Sequence, residues 1–193
     1  AGMTISGQGT HILNYAMSLN GDSPVAQVLG TACGFSNEDP GHPGPDTTVG
    51  YLLFENGVRG LWQTGYTSPR CGDPSIFWQH VRVGAYADRG RVEWQEFGRW
   101  EIVRPAGEER GDFGGMETWA ENNALAQAAF HRAVLNWLED DAKVPGTGLK
   151  QSLHEWKVVL ALYASALWRT PVDVADFGPP ENLFEDLLRA LQR

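Results

Sequence analysis

The sequence predicts an α+β domain, an open and mostly antiparallel sheet of about six strands with helices packed on one face. Three observations carry this. The strand-like segments lie together between residues 25 and 103, and the long helical periodicities follow them, an order that belongs to α+β rather than to alternating α/β folds. Short turns join the strands, and short turns make antiparallel neighbours. The 193 residues are enough to bury a real core, and they contain no internal repeat, low-complexity tract or composition break, so residues 1–193 read as a single domain.

The elements follow in order. Residues 10–20 place Ile12, Tyr15, Ala16 and Leu19 at helical spacing, with Thr10 as a candidate N-cap and Asn20-Gly21 as the stop. VAQVLGTACGF, residues 25–35, reads as a strand, and NEDPGHPGPD, residues 37–46, as a Gly/Pro loop. TTVGYLLFE and VRGLWQTGY flank Asn56-Gly57, the signature of a type I′ hairpin turn. SIFWQHVRVGAY, residues 75–86, is another strand. The turn Asp88-Arg89-Gly90 leads into RVEWQEF, and Gly98 into RWEIV. Residues 105–120 are polar and Gly-rich and read as a loop crossing from sheet to helix.

ENNALAQAAFHRAVLNWLED then places Ala126, Phe130, Ala133, Val134 and Trp137 on one helical face. After the connector DDAKVPGTG, GLKQSLHEWKVVLALYASALW places Leu149, Leu153, Trp156, Leu160, Tyr163 and Leu167 on another. PVDV is a short edge strand. Pro179-Pro180 starts a last helix with Phe184, Leu187, Leu188 and Leu191 inward.

Composition narrows the function. The apolar fraction is 42% and the charged fraction 20%, as in soluble globular chains. A net charge of −9 with no Lys/Arg cluster argues against nucleic acid as a partner. No run approaches the ~18 apolar residues of a membrane helix. No basic stretch followed by an apolar run suggests a signal peptide, so the reading is cytoplasmic, with Cys33 and Cys71 as free thiols. Eight tryptophans, most of them in the strand-like middle, suggest a large packed sheet face.

Most catalytic patterns are missing. Gly7-Gln8-Gly9 has only the first two glycines of a dinucleotide fingerprint and no strand before it. There is no P-loop, GxSxG or HExxH, and His11, His42, His80, His131 and His154 have no metal-ligand spacing. His42 stands near Glu38, Asp39 and Asp46 in what reads as a solvated loop. His11 is the candidate of interest. It follows Gly-x-Gly, which allows close backbone approach, at the positive end of a helix, a setting that suits proton exchange with a substrate hydroxyl. The same position equally suits a structural histidine bonded to nearby backbone.

Several motifs, taken together and in order, resemble the C-terminal domain of the glucose–fructose oxidoreductase / inositol dehydrogenase (Gfo/Idh/MocA) family. GQGTHILNYAMSLNG stands where that family has Asp-x-Gly-x-His-x-x-Asp and an apolar stretch ending near Gly. LLFENGVRGLWQTGY is similar to its Phe-x-Asn-Gly hairpin. VRVGAYADRGRVEW is similar to its Val-x-Gly-x-x-Gly-x-Val strand pair, and AFHRAVLNWLEDDAKVPGTGLKQSLHEWKVVLALYASALWRTPVDV to its closing helices and final strand. The likeness covers nearly all of residues 2–174.

The resemblance implies a substrate-binding and oligomerisation domain of an NAD(P)-dependent oxidoreductase acting on a sugar, inositol or related polyol. NAD or NADP would bind an N-terminal Rossmann domain outside this chain, which alone would neither hold the cofactor tightly nor be active. It implies His11 as the catalytic residue, working with an upstream aspartate and a lysine from the Rossmann domain. The departures are Gly7 and Asn14, which stand where the family has its two aspartates. The implied substrate contacts are Asn14, and Trp119 and Asn123 before and at the start of the long helix. Arg70, in the loop after the hairpin, is a further candidate because a guanidinium can hold a carboxylate or hydroxyls, though the loop also reads as solvated.

Along residues 76–86, Ile76, Trp78, His80, Arg82 and Tyr86 alternate with Phe77, Val81, Val83 and Ala85. The mixed aromatic and charged face, joined by Trp62, reads as a sheet-to-sheet homodimer surface. Two other readings stay open: a non-catalytic binding or assembly protein that keeps the fold, and an unrelated small α+β ligand-binding domain.

Overall fold

The computed structural model describes residues 8–35, 45–65, 82–95, 99–112, 119–145 and 148–192. Among these residues it is an α+β structure with four helices and eight strands in two antiparallel sheets of four. The class is the one expected from the sequence. The strands are more numerous than six and fall, among the described residues, into two sheets. The chain divides into two compact units, residues 1–68 with 149–193, and residues 69–148.

The first unit opens with α1 (Gln8–Leu19). Its buried stripe is Gly9, Leu13 and Met17, spaced by one turn each. The expected stripe is therefore rotated, since Tyr15 and Leu19 are exposed. The helix begins at Gln8, so Thr10 lies inside it rather than capping it. The expected stop at Asn20-Gly21 holds. Gly21 has φ 66°, its N–H donates to the Ser18 carbonyl and that of Asp22 to the Met17 carbonyl, a Schellman closure.

β1 (Val25–Phe35), β2 (Pro45–Phe54) and β3 (Arg59–Gly65) form a meander, and β8 (Val172–Asp173) adds to the free edge of β1, giving the order β3-β2-β1-β8. The β2–β3 turn differs from expectation. Asn56 does not have the positive φ that a type I′ turn requires. Instead the Gly57 N–H donates to the Phe54 carbonyl, Gly57 takes φ 85°, and the Phe54 N–H donates to the Val58 carbonyl. That is a three-residue loop closed by a glycine in the left-handed region.

α3 (Leu149–Trp168) lies across this sheet. Gly30 and Gly50 pair across β1 and β2 and let it approach. A β-carbon on Gly30 would sit 2.5 Å from the Leu162 carbonyl oxygen, and one on Gly50 would sit 2.7 Å from Leu162 Cδ2. β8 covers β1 only at Gln27 and Val28, and beyond it the Gly30 N–H donates to Ser165 Oγ (2.9 Å), which donates in turn to the Thr170 carbonyl (2.6 Å). The core is Leu13, Val28, Leu52, Phe54, Trp62, Val158, Leu162, Tyr163 and their neighbours. Trp62 is thus a core residue and not part of an outward aromatic face. Along α3, Leu149, Leu153 and Trp156 are exposed, while Glu155, Val158, Val159 and the run Ala161 to Ser165 are buried. α4 (Leu183–Leu191) seals the core with Leu183 and Leu187, and Phe184, which was expected inward, is exposed and meets Tyr163 edge-on.

The second unit holds β4 (Arg82–Ala87), β5 (Gly90–Gln95), β6 (Arg99–Arg104) and β7 (Gly107–Asp112) as a meander, and α2 (Trp119–Glu139). The expected alternation at Arg82 to Tyr86 holds. Val83, Trp94, Trp100 and Gly111 share one face, while Gly84, Glu93, Glu101 and Arg110 share the other. Residues 75–81 of the expected strand lie outside the described residues. β7 falls where the sequence reads as loop. GEERGD has no apolar alternation, and its partners are charged: Arg110 to Glu101 (2.8 Å), Arg104 to Glu109 (2.5 Å) and Arg99 to Asp112 (3.9 Å).

Candidate functional site

His11 stands at the end of the first turn of α1 and is exposed. It flanks the buried Gly9–Leu13–Met17 stripe, so its ring faces solvent while the helix is anchored beneath it. Asn14 follows one turn later and is half-buried. Its Nδ2 donates to Glu155 Oε1 of α3 at 2.7 Å. Glu155 is only 6% exposed and has no cationic partner among the described residues. A carboxylate so placed needs a donor, and an amide at position 14 supplies one where a second carboxylate would not.

His154, the residue before Glu155, anchors β1. The Val25 N–H donates to His154 Nε2 at 3.0 Å, so the neutral ring carries its proton on Nδ1. Burial pushes the His154 pKa below its ordinary value. The Glu55 carboxylate opposes that shift and the Lys157 ammonium adds to it. Two consecutive residues of α3 therefore tie down both the helix that bears His11 and the strand that follows it.

The other expected site residues are placed as follows. Trp119 opens α2, and Asn123 is exposed one turn further on, both in the second unit. Arg70 and Gly7 lie outside the described residues, as do His42, Glu38 and Asp39, whereas Asp46 falls in β2. Asn14 is brought to Glu155, a residue outside the apolar face expected of its helix. The signal was present in retrospect: Glu155 falls three residues before Val158 and seven before Leu162, on the face the core occupies.

Among the described residues no group of three or more His, Cys, Asp or Glu side chains is arranged to hold a metal. Cys33 is a free, exposed thiol. No described strand passes through a glycine-rich turn into a helix, and every strand pair among the described residues is antiparallel. α2 and α4 carry acidic residues in their first turns, Glu121 in one and Glu185 with Asp186 in the other, which disfavours a pyrophosphate there. The described residues thus do not fit a dinucleotide cradle. Among the described residues no helix is long and apolar enough to cross a membrane.

No protein-family model and no curated protein sequence matches this chain. Its fold, however, occurs within solved oxidoreductases. One, an oxidoreductase from Agrobacterium radiobacter in complex with NAD+, L-tartaric acid and magnesium, superposes with a TM-score of 0.68 at 19% identity, over 90% of this chain and 50% of its own. The aldose-aldose oxidoreductase of Caulobacter crescentus, complexed with glycerol, gives 0.56 at 18% identity, over 86% and 45%. The WlbA dehydrogenase of Bordetella pertussis, in complex with NADH and UDP-GlcNAcA, gives 0.57 at 16% identity, over 88% and 44%. At these identities the likeness is one of fold, and the chain spans about half the length of these structures.

Proposed function

We propose that this chain is the substrate-binding and dimerisation domain of an NAD(P)-dependent oxidoreductase of the Gfo/Idh/MocA family, acting on a sugar, inositol or related polyol. The observation that carries the reading is the shared fold over 90% of the chain with half of an oxidoreductase that binds NAD+. It is supported by the exposed histidine on an anchored helix turn, where the family motif has its catalytic histidine. The ligands of the neighbours, tartaric acid, glycerol and UDP-GlcNAcA, are all rich in hydroxyls. In this reading residues 1–193 act as one cytoplasmic domain, inactive without the cofactor domain.

A nicotinamide held by the cofactor domain would supply the hydride acceptor. His11 takes the proton of the reacting hydroxyl as the carbonyl forms, a general-base step. Asn14 keeps its helix against Glu155 through Nδ2, which leaves its Oδ1 to receive a second hydroxyl. Trp119 and Asn123, by their positions in the resemblance, and Arg70, by its guanidinium, are separate candidate substrate contacts. Dimerisation is supported by a row of exposed apolar side chains, Leu29, Tyr51 and Leu61, paired in register across β1, β2 and β3 on the face turned away from α3. Light scattering on the eluting peak of a sizing column tests it, and a strict monomer at micromolar concentration rejects it.

The test of function is nucleotide-dependent turnover of a sugar and polyol panel by the whole protein that carries this chain, beside His11→Ala. The expected loss is about 10²–10⁴-fold in kcat. Unchanged turnover in the variant removes His11 from the reaction. A second reading, a non-catalytic binding or assembly protein, is favoured by Gly7 and Asn14, neither of which can serve as a carboxylate. Absence of turnover by the wild type on every substrate supports it.

A further inference from the structure

Two Asn-Gly dipeptides occur in the chain, Asn20-Gly21 and Asn56-Gly57. They lie 36 residues apart, yet their side chains meet. Asn56 Nδ2 donates to Asn20 Oδ1 at 2.9 Å, and Asn20 Nδ2 donates to Asn56 Oδ1 at 3.4 Å. This reciprocal amide bridge ties the C-terminal end of α1 to the β2–β3 hairpin. Ser23 Oγ, which accepts from the Asn56 N–H at 3.2 Å, and the Pro24 carbonyl, which accepts from the Glu55 N–H at 2.9 Å, extend the tie.

We propose that Asn20 and Asn56 form a paired deamidation site, in which Asn20 reacts first and conversion of both residues breaks the amide bridge between α1 and the hairpin. The chemistry needs no partner but water. The deprotonated backbone nitrogen of the following glycine attacks the asparagine Cγ. The Cγ–N bond of a cyclic imide forms, the Cγ–Nδ2 bond breaks, and ammonia leaves. Water then opens the imide at either carbonyl, giving aspartate or isoaspartate. Glycine is the residue that permits this ring closure, having no side chain to obstruct it, and here both glycines adjoin open space, with no atom within 4 Å of where a β-carbon would stand.

The order follows from what must be released. The Gly57 N–H is held by the Phe54 carbonyl at 2.9 Å, and Asn56 Oδ1 also accepts from the Val58 N–H at 3.1 Å. The Gly21 N–H makes a longer bond, 3.3 Å, to the Ser18 carbonyl, at a helix end where opening is least costly. The consequence follows from the bridge. With aspartate at 20, the shorter bond survives, because a carboxylate still accepts from Asn56 Nδ2. With carboxylates at both positions no donor remains, two negative charges face each other, and one of them stands at the negative end of α1.

Ageing the purified chain in mildly alkaline buffer, with peptide mass spectrometry over time and a denatured sample alongside, tests the order. Asn20 is expected to convert severalfold faster than Asn56 in the folded chain, and the two rates are expected to converge in denaturant. The Asn56→Ser variant should accelerate conversion at Asn20. Equal rates in folded chain and denaturant, an Asn20 rate indifferent to Asn56→Ser, or no conversion in the folded chain while the denatured sample converts would each overturn the proposal. Thermal unfolding of Asn20→Asp, Asn56→Asp and the double variant tests the consequence. Asn20→Asp should melt near wild type, and the double variant should melt well below the sum of the two single shifts. Additive shifts reject the coupled tie.

Discussion

The two units are held by different physics. Every buried apolar side chain among the described residues belongs to the first unit, where Tyr163, Leu162, Val158 and Val159 of α3 have almost no exposure and Leu162 lies against Gly30 of β1 and Gly50 of β2. The second unit's sheet is half-buried at best, and its polar face is a lattice of charges. Glu93 and Glu101 stand directly opposite on β5 and β6, a pairing that like charges disfavour. Glu101 is compensated by Arg91 (2.5 Å) and Arg110 (2.8 Å), and Glu93 accepts from the Tyr86 hydroxyl (2.9 Å), which pushes the Tyr86 pKa up. Apolar burial contributes roughly 25 cal/mol per Å², whereas exposed ion pairs contribute at most about 1 kcal/mol each. The first unit therefore carries stability, and the second is specified by strand register.

The sharpest way to break this comparison is a matched pair of glycines. At Gly30 the obstacle to a β-carbon is the backbone of a buried helix, which cannot step aside. At Gly111 it is the indole of Trp100, a half-buried side chain that can rotate. Gly30→Ala is expected to cost about 3 kcal/mol or more by overpacking. Gly111→Ala should stay within about 1 kcal/mol of wild type, since lost freedom in the unfolded chain offsets part of the strain. Denaturant unfolding of the two variants measures both. Equal costs would mean that the units are not packed as differently as they look.

Asn14 and Glu155 probe the first unit where its packing meets the candidate site. Asn14→Asp removes the only donor in the pair and leaves two carboxylates together, at a cost of about 2 kcal/mol near neutral pH. Asn14→Asp with Glu155→Gln restores one donor and one charge with the polarity reversed, and it should recover most of that loss. A double variant no better than the sum of the singles would show that the 2.7 Å bond does not couple the helices.

His154 gives the first unit a pH dependence. Its folded pKa lies below the ordinary 6.5, so the unfolded chain takes up a proton that the folded chain resists. The contribution to stability is full above 6.5 and is lost as pH falls from there toward the folded value. Protonation would also remove the acceptor for the Val25 N–H. His154→Gln should flatten the stability profile between neutral and mildly acidic pH, and an unchanged slope would assign it to other groups.

The same contrast governs how much was legible in the sequence. β1, β2 and β3 were readable because alternation and the Asn56-Gly57 turn are local signals, and α3 was readable from its length and apolar content. β7 was not, because GEERGD has no apolar alternation; its ladder with β6 is accompanied by ion pairs to residues on that strand, which no local pattern announces. The inward face of α3 was misjudged at Leu149, Leu153 and Trp156 because hydrophobicity cannot say where a helix leaves its sheet. At the candidate site, His11 and Asn14 were legible from one motif. Glu155 was not, because its role depends on a contact across 141 residues.

The smallest expected effect lies in the charge lattice. Arg110 holds Glu101 at 2.8 Å and Glu108 at 2.9 Å, yet its side chain is 68% exposed. Arg110→Ala should cost no more than about 1 kcal/mol, and the cost should shrink as salt is raised, because exposed pairs are screened over a Debye length of roughly 10 Å at 0.1 M salt. Glu101 is the better buried partner, at 22% exposure, and it serves two arginines. Glu101→Gln should therefore cost more than Arg110→Ala and lose less of its effect in salt. If the order is reversed, the lattice is not centred on Glu101, and the register of β6 against β7 must rest on the Trp100–Gly111 contact on the opposite face.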